Sequence, residues 1–245
     1  MRGKFQILYL LVLCLMLPFC IGAGPSGQRL KGLLEPSQIV ELSSQIPGII
    51  EEVLVERGDH VKKGQVLVRL QSGVEKATAD LAATRFEFGK RKVLRNEELQ
   101  RKQLISAHEK DEMETEARIA ELQLQEATEK LRMRTILSPV DGVVMKRELS
   151  PGEYVGEGSI MTIARINPLN VEVYVPAALF RKIHRGMQAE VRPEAPFNGV
   201  YIGKVVIVDE VIDAASGTFG VRAQLPNPKG RIKAGLNCTV RFLGP

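Results

Sequence analysis

The sequence predicts a mainly β fold with an α-helical hairpin inserted between two halves of a β-sandwich, followed by a small C-terminal β-barrel. A long charged segment with helical periodicity occupies the middle of the chain. The segments on either side of it resemble each other, and the last third alternates short apolar runs with turn sequences. The predicted regions are a signal peptide (1–23), an N-terminal barrel strand (24–40), the first sandwich half (41–72), the helical hairpin (73–136), the second sandwich half (137–166) and the barrel (167–245).

The N-terminal segment has the order of residues that is typical of an export signal. Arg2 and Lys4 precede an apolar run over residues 5–17, and small residues follow at 22–24. The run is short for a membrane span. We therefore expect export and cleavage near residues 22–24, with a retained anchor and lipid attachment at Cys20 as the alternatives.

Charge and cysteine content exclude some classes of protein. The formal net charge of +5 is modest, and two of the positive charges lie in the predicted signal peptide, so we expect no nucleic-acid partner. Of three cysteines, only Cys238 lies outside that peptide. An exported chain with one thiol has no intrachain disulfide, and we expect Cys238 to be buried, without a role that the sequence indicates.

The central segment reads as two helices joined by a tight turn. In the second helix, apolar residues recur at alternating spacings of four and three, the seam of a coiled coil: Met113, Ala117, Ala120, Leu124, Ala127 and Leu131. In the first helix a similar stripe is predicted at Val74, Ala77, Leu81 and Phe88. Ser106 with Glu109 forms a capping-box pattern that starts the second helix. Each arm has roughly 30 residues, so the hairpin should be about 45 Å long.

The flanks of the hairpin form an internal repeat. Three glycines of the first flank recur in the second at a constant offset of 94 residues: Gly48 with Gly142, Gly58 with Gly152, and Gly64 with Gly158. We expect each glycine to lie at a tight turn or at positive φ. Neither flank is large enough to bury its own apolar residues, so the two halves should share one core.

This repeat resembles the biotinyl/lipoyl carrier domain, in which a short hairpin presents a lysine to its prosthetic group. Lys76, between Glu75 and Ala77, has a similar setting. About 60 residues of predicted helix follow it, however, whereas a modifying enzyme recognises a tight hairpin tip. A carrier subunit is therefore the weaker alternative.

A lipoyl-like domain split by a helical hairpin instead resembles the periplasmic adaptor subunits, or membrane fusion proteins, of the HlyD/RND type. The two segments that carry the resemblance are 137–144 (LSPVDGVV) and 58–67 (GDHVKKGQVL). The resemblance implies a non-catalytic adaptor of a tripartite efflux pump in the periplasm of a Gram-negative bacterium, associated with the inner membrane.

The same resemblance implies the partners. They are an inner-membrane transporter, an outer-membrane channel, and further copies of the chain in a ring of six. An RND transporter is favoured as the inner-membrane partner, with an ABC or type I exporter as the alternative. It implies export of small molecules without indicating which, and no cofactor. Larger members carry a further membrane-proximal domain, which we do not expect here. The three histidines have no second ligand at metal spacing, so no metal site is predicted.

The residues near the predicted hairpin turn contain one further pattern. Arg95, Leu99 and Ser106 match the Arg-x3-Leu-x6-Ser spacing of adaptors that meet an outer-membrane channel, which implies a docking role for them. Arg and Ser can donate hydrogen bonds to carbonyls, and Leu can enter a shallow groove. In the alternative interpretation, Ser106 only caps a helix, Leu99 packs inside the hairpin and Arg95 is solvated.

The C-terminal third predicts a small barrel. One short helix is expected at 177–183, opened by Pro176 and ended by Gly186. The expected strands are 171–175, 188–192, 200–211, 219–225 and 238–242, with a first strand near Gly32 and Pro36.

Overall fold

The computed structural model describes residues 28–102 and 104–244, so the predicted signal peptide, Cys14 and Cys20 lie outside the described residues. The strands are β1 (Leu30–Ser43), β2 (Gly48–Val53), β3 (His60–Val61), β4 (Val66–Leu70), β5 (Thr135–Leu137), β6 (Gly142–Arg147), β7 (Tyr154–Val155), β8 (Ser159–Pro176), β9 (Gln188–Pro193), β10 (Tyr201–Val208), β11 (Thr218–Leu225) and β12 (Asn237–Leu243). The helices are α1 (Gly73–Arg101), α2 (Ala107–Arg132) and a short 3-10 helix, Ala177–Lys182. Among these helices none is long and apolar enough to cross a bilayer.

Six strands form a closed barrel. They pair in the order β1-β12-β9-β10-β11-β8, and β8 pairs back with β1. Alternate side chains point inward and make one core, in which Phe219 is 1% exposed and meets Phe180 edge-on at 5.1 Å between ring centroids. The predicted mainly β fold with a barrel is confirmed, and β1 is one of the six barrel strands.

The repeat appears in the strands at the predicted offset. β2 and β6 span equivalent residues 94 apart, and so do β3 and β7. Gly48 pairs with Val155 in the β2–β7 ladder, and Gly142 pairs with Val61 in the β6–β3 ladder, so each half lends a strand to the other. Both halves contribute to one buried core through equivalent residues: Ile50 and Val144, Val61 and Val155, Leu67 and Met161.

Two long strands join the sandwich to the barrel. β1 and β8 pair antiparallel from one unit into the other, with an irregularity between Pro36 and Gln38. The expected boundaries at residues 40/41 and 166/167 therefore fall inside continuous strands, because a strand that serves two cores has no turn sequence at the junction.

The two helices lie antiparallel and in contact. Across them, Lys92 Nζ lies 2.8 Å from Glu116 Oε2, and Ala79 and Ala82 are buried with Ala127. In α2 the residues of reduced exposure include all six of the predicted seam, together with Lys110 and Glu121.

The stripe predicted for α1 is wrong. Val74, Leu81 and Phe88 are 78%, 53% and 65% exposed. The residues of reduced exposure instead include a row of small or mixed character, again at spacings of three and four: Ala79, Ala82, Phe86, Gly89, Val93 and Asn96. A Cβ at Gly89 would lie 3.2 Å from Ala117 Cα, so this seam brings the two backbones close together.

Candidate functional site

The turn between the helices is built by a capping box. Ser106 has extended backbone geometry (φ −75°, ψ 160°) and its Oγ accepts a hydrogen bond from the Glu109 N–H at 3.2 Å. In return, the Glu109 carboxylate accepts from the Ser106 N–H at 2.8 Å. Two of the free N–H groups of the first turn of α2 are thereby satisfied, as the sequence pattern predicts.

The hydroxyl group of Ser106 is already engaged as a donor. Its Oγ lies 2.9 Å from Glu109 Oε2. The pKa of Glu109 lies below its ordinary value because the Ser106 N–H and then its hydroxyl donate to the carboxylate. For Ser106 to donate to a carbonyl of another protein, this internal bond would have to open, so its remaining free capacity is as an acceptor.

Arg95 and Leu99 lie one turn apart on α1, before the turn. Both side chains are exposed, Leu99 to 37%. Among the described residues, no carboxylate lies within ion-pair distance of Arg95. The guanidinium can therefore donate outward, and Leu99 offers an apolar neighbour at helical spacing.

Leu104 is an exposed residue of the tip that the sequence analysis missed. Its side chain is 67% exposed, while its N–H donates to the Leu99 carbonyl at 2.9 Å. The next residue, Ile105, is half-buried and lines a small cavity with Val93 and Met113. The sequence does contain a signal for an exposed apolar residue here. Two apolar residues, Leu104 and Ile105, directly precede the capping box, and only one of them can pack against the first turn of α2.

Three of the repeat glycines need a left-handed backbone. Gly58, Gly152 and Gly64 have φ of +98°, +87° and +82°. The acidic residues that follow the first two, Asp59 and Glu153, accept the N–H of the residue three positions earlier, so both turns are closed in the same way.

The other three glycines differ from one another. A Cβ at Gly142 would overlap the Ala164 carbonyl oxygen, and a Cβ at Gly48 would overlap the Nη1 of Arg134. Gly158 has neither positive φ nor any neighbouring atom within 4 Å of such a Cβ. The structure therefore gives no steric or conformational reason for a glycine at Gly158.

The remaining candidate groups do not converge on a reactive site. Lys76 lies in the first turns of α1 rather than at the tip of a β-hairpin, which is the wrong setting for a carrier lysine. Within residues 28–102 and 104–244, no three His, Cys, Asp or Glu side chains are placed to hold a metal ion. Cys238 is buried in the barrel core, where burial raises its pKa to about 11.

Two family models match the chain in the same two units. The model for CzcB-like barrel-sandwich hybrid domains matches residues 38–165, and the model for CusB-like β-barrel domains matches residues 168–245. The first match covers more than half of the chain and includes both helices.

Curated relatives and solved structures are similar over most of this chain. An uncharacterized protein of Haemophilus influenzae is 26% identical over 218 residues, 87% of this chain and 56% of its own length. The antibiotic efflux pump periplasmic linker protein ArpA of Pseudomonas putida is 27% identical over 240 residues, 85% of this chain and 63% of its own. The chain thus spans less than two thirds of the length of these relatives.

A solved structure shares the fold. The crystal structure of a MacA–MexA chimeric protein that contains the Pseudomonas aeruginosa MexA α-hairpin domain superposes with a TM-score of 0.74 at 19% identity. The match covers 88% of this chain and 80% of the chimera.

Proposed function

The chain belongs to the membrane fusion protein family of periplasmic adaptors, and on that premise we propose that it is the adaptor of a tripartite efflux pump. In this role it links an inner-membrane transporter to an outer-membrane channel for the export of small molecules. It works as a non-catalytic connector, and the energy for transport comes from its partner.

The observation that carries the proposal is the exposed tip of the two helices that interrupt the matched domain. Arg95 is free to donate outward, and Leu99 and Leu104 present apolar surface beside it. Main-chain carbonyls at the mouth of a channel would accept from the guanidinium, and a shallow groove there would take the leucines. We therefore extend the docking set, Arg95, Leu99 and Ser106, by Leu104, and we assign Ser106 mainly to capping.

The finer features of the assembly belong to the same proposal. We infer that the sandwich is lipoyl-like and that the two helices form a coiled-coil hairpin. Six copies of the chain lie side by side in a ring. The inner-membrane partner is an RND transporter rather than an ABC exporter. The protein is located in the periplasm after removal of the signal peptide. The name of the relative ArpA, an antibiotic efflux pump linker, supports small molecules as the cargo.

The experiment that tests the docking role is photo-crosslinking in cells. A photo-reactive amino acid replaces Ala107, the first residue of α2 and the neighbour of Ser106. We expect an adduct with an outer-membrane protein, and we expect Arg95→Asp to abolish it because the reversed charge is repelled by the carbonyl oxygens that Arg95 would otherwise donate to.

The matched control is Lys90→Asp, which reverses a charge at another exposed position of the same helix. It should leave the adduct in place. If the folded, exported protein gives no adduct, or if Lys90→Asp and Arg95→Asp weaken it equally, the tip has no specific docking role. An adduct from a barrel position to a transporter with an ATPase subunit would contradict the RND assignment.

A further inference from the structure

Arg134 ties three segments together where the helices leave the sandwich. It lies two residues after the end of α2 and directly before β5. Its Nη2 lies 2.5 Å from Glu75 Oε1 in the first turn of α1, and its Nη1 donates to the Pro47 carbonyl at 3.0 Å, just before β2. Its main-chain carbonyl accepts from the Leu70 N–H of β4 at 2.8 Å.

The ion pair occupies the last layer of the seam between the helices. On α1 the seam runs back from Ala82 through Ala79 to Glu75, and from Leu131 of α2 it continues to Arg134 in the turn after the helix, at the same spacings of three and four. Both charged side chains are largely buried, with exposures of 18% and 20%. A charged pair in the seam specifies the register of a coiled coil, since any shift leaves a buried charge without its partner.

The surroundings of Arg134 hold its guanidinium in one place. Gly48 has no Cβ, and a Cβ there would overlap Nη1 of Arg134. The φ of Gly48 is not positive, so space rather than backbone conformation is what glycine provides. The pKa of Glu75 lies below its ordinary value, first because its own N–H donates to the carboxylate and further because of Arg134, which together outweigh desolvation.

We propose that Arg134 is a positioning residue that fixes the direction and register of the two helices relative to the sandwich. It does so by holding the first turn of α1, the segment before β2 and the end of α2 at one point. This positioning role rests on the proposed function, because an adaptor has to present the tip of its helices to the channel in a fixed position.

A small rotation at the base of the helices produces a large displacement of their tip, so a residue that fixes the angle there has a large effect. α1 has 29 residues, so it is about 43 Å long, and a tilt of about 15° at its base moves the tip by about 11 Å. An arginine fits the task better than a lysine, because its planar fork donates to the carboxylate and to the carbonyl from two separate nitrogens.

The test measures the distance between spin labels on the purified full chain. Exposed Glu51 in β2 and exposed His108 in α2 are replaced by Cys and labelled, in a background in which Cys14, Cys20 and Cys238 are replaced by Ser. We expect one narrow distance peak. Arg134→Ala and, independently, Gly48→Ala should each replace it by a broad distribution, since the second change displaces the guanidinium and leaves every charge in place.

Two further variants separate positioning from folding. Gly73→Ala is the control, because a Cβ at Gly73, at the start of α1, meets no atom within 4 Å, and its peak should stay narrow. Arg134→Lys should give an intermediate width. If Arg134→Ala fails to fold, the width of the distance distribution in Gly48→Ala alone tests the proposal.

A narrow, unshifted peak in folded Gly48→Ala protein would overturn the proposal. The crosslinking at Ala107 keeps this result distinct from the proposed function. Without an outer-membrane adduct in the unmutated chain, the docking role fails while the distance result stands. With that adduct present and the peak unchanged by Gly48→Ala and Arg134→Ala, only the positioning role fails.

Discussion

The close approach of the two helices gives a prediction at two adjacent residues. Ala82 is 8% exposed in the seam, and Leu81 is 53% exposed on the outer surface. Ala82→Leu forces a larger side chain against buried Ala127, which should cost about 1–3 kcal/mol of helix stability through overpacking. Full burial of a Leu is worth about 1.5–3 kcal/mol, so Leu81→Ala should cost at most about 1 kcal/mol, reduced further by the helix propensity of Ala.

The assay is urea unfolding followed by circular dichroism at a helical wavelength. The sandwich and barrel are almost entirely β, so this signal reports mainly on α1 and α2. Ala82→Leu should lower the midpoint of the helical transition clearly more than Leu81→Ala does. The reverse order would refute the assignment of the seam and restore the stripe of larger residues as the contact surface.

Three other measurements test separate parts of the molecule. Gly142→Ala should lower the free energy of unfolding by about 1–3 kcal/mol, because the new Cβ meets the main-chain oxygen of β8, whereas Gly158→Ala should stay within about 1 kcal/mol of the unmutated chain. The Cys238 thiol should not react with a thiol reagent at pH 8 until denaturant is added, since burial and then the charge of Glu194 raise its pKa to about 11; rapid labelling of the folded chain would contradict this. The pKa of Glu75 is depressed by its own N–H and by Arg134, so the stabilising effect of the ion pair is fully present above the ordinary value of 4.5 and is lost as pH falls through the lower folded-state value. The spin-label distribution should therefore broaden on acidification below pH 4.5, and Arg134→Ala, already broad, should not respond.

The sandwich was predictable from the sequence because its information is local and repeated. Each of the two turns requires a glycine with positive φ, Gly58 or Gly152, and an acidic residue after it. These requirements are therefore visible in the sequence as the same residue types at a fixed offset. That offset then gives the strand pairing, since equivalent residues occupy equivalent ladders.

The contact surface of α1 was not predictable by the same means. Periodicity analysis gives weight to large apolar residues, and Val74, Leu81 and Phe88 form a regular row seven residues apart. The helices instead contact each other through Ala82 and Gly89, which are small enough to let the two backbones come close together. Only the position of the partner helix decides between the two rows, and that position is a tertiary property.

The glycines Gly48 and Gly142 show how one repeat serves two attachments. They are equivalent in sequence and in strand pairing, yet the space beside each is filled differently. At Gly142 it is filled by the backbone of β8, the strand that continues into the barrel. At Gly48 it is filled by the side chain of Arg134, at the base of the helices. The two equivalent glycines therefore leave room for two different neighbours, so Gly142→Ala should disturb the strands that lead to the barrel, and Gly48→Ala should loosen the attachment of the helices.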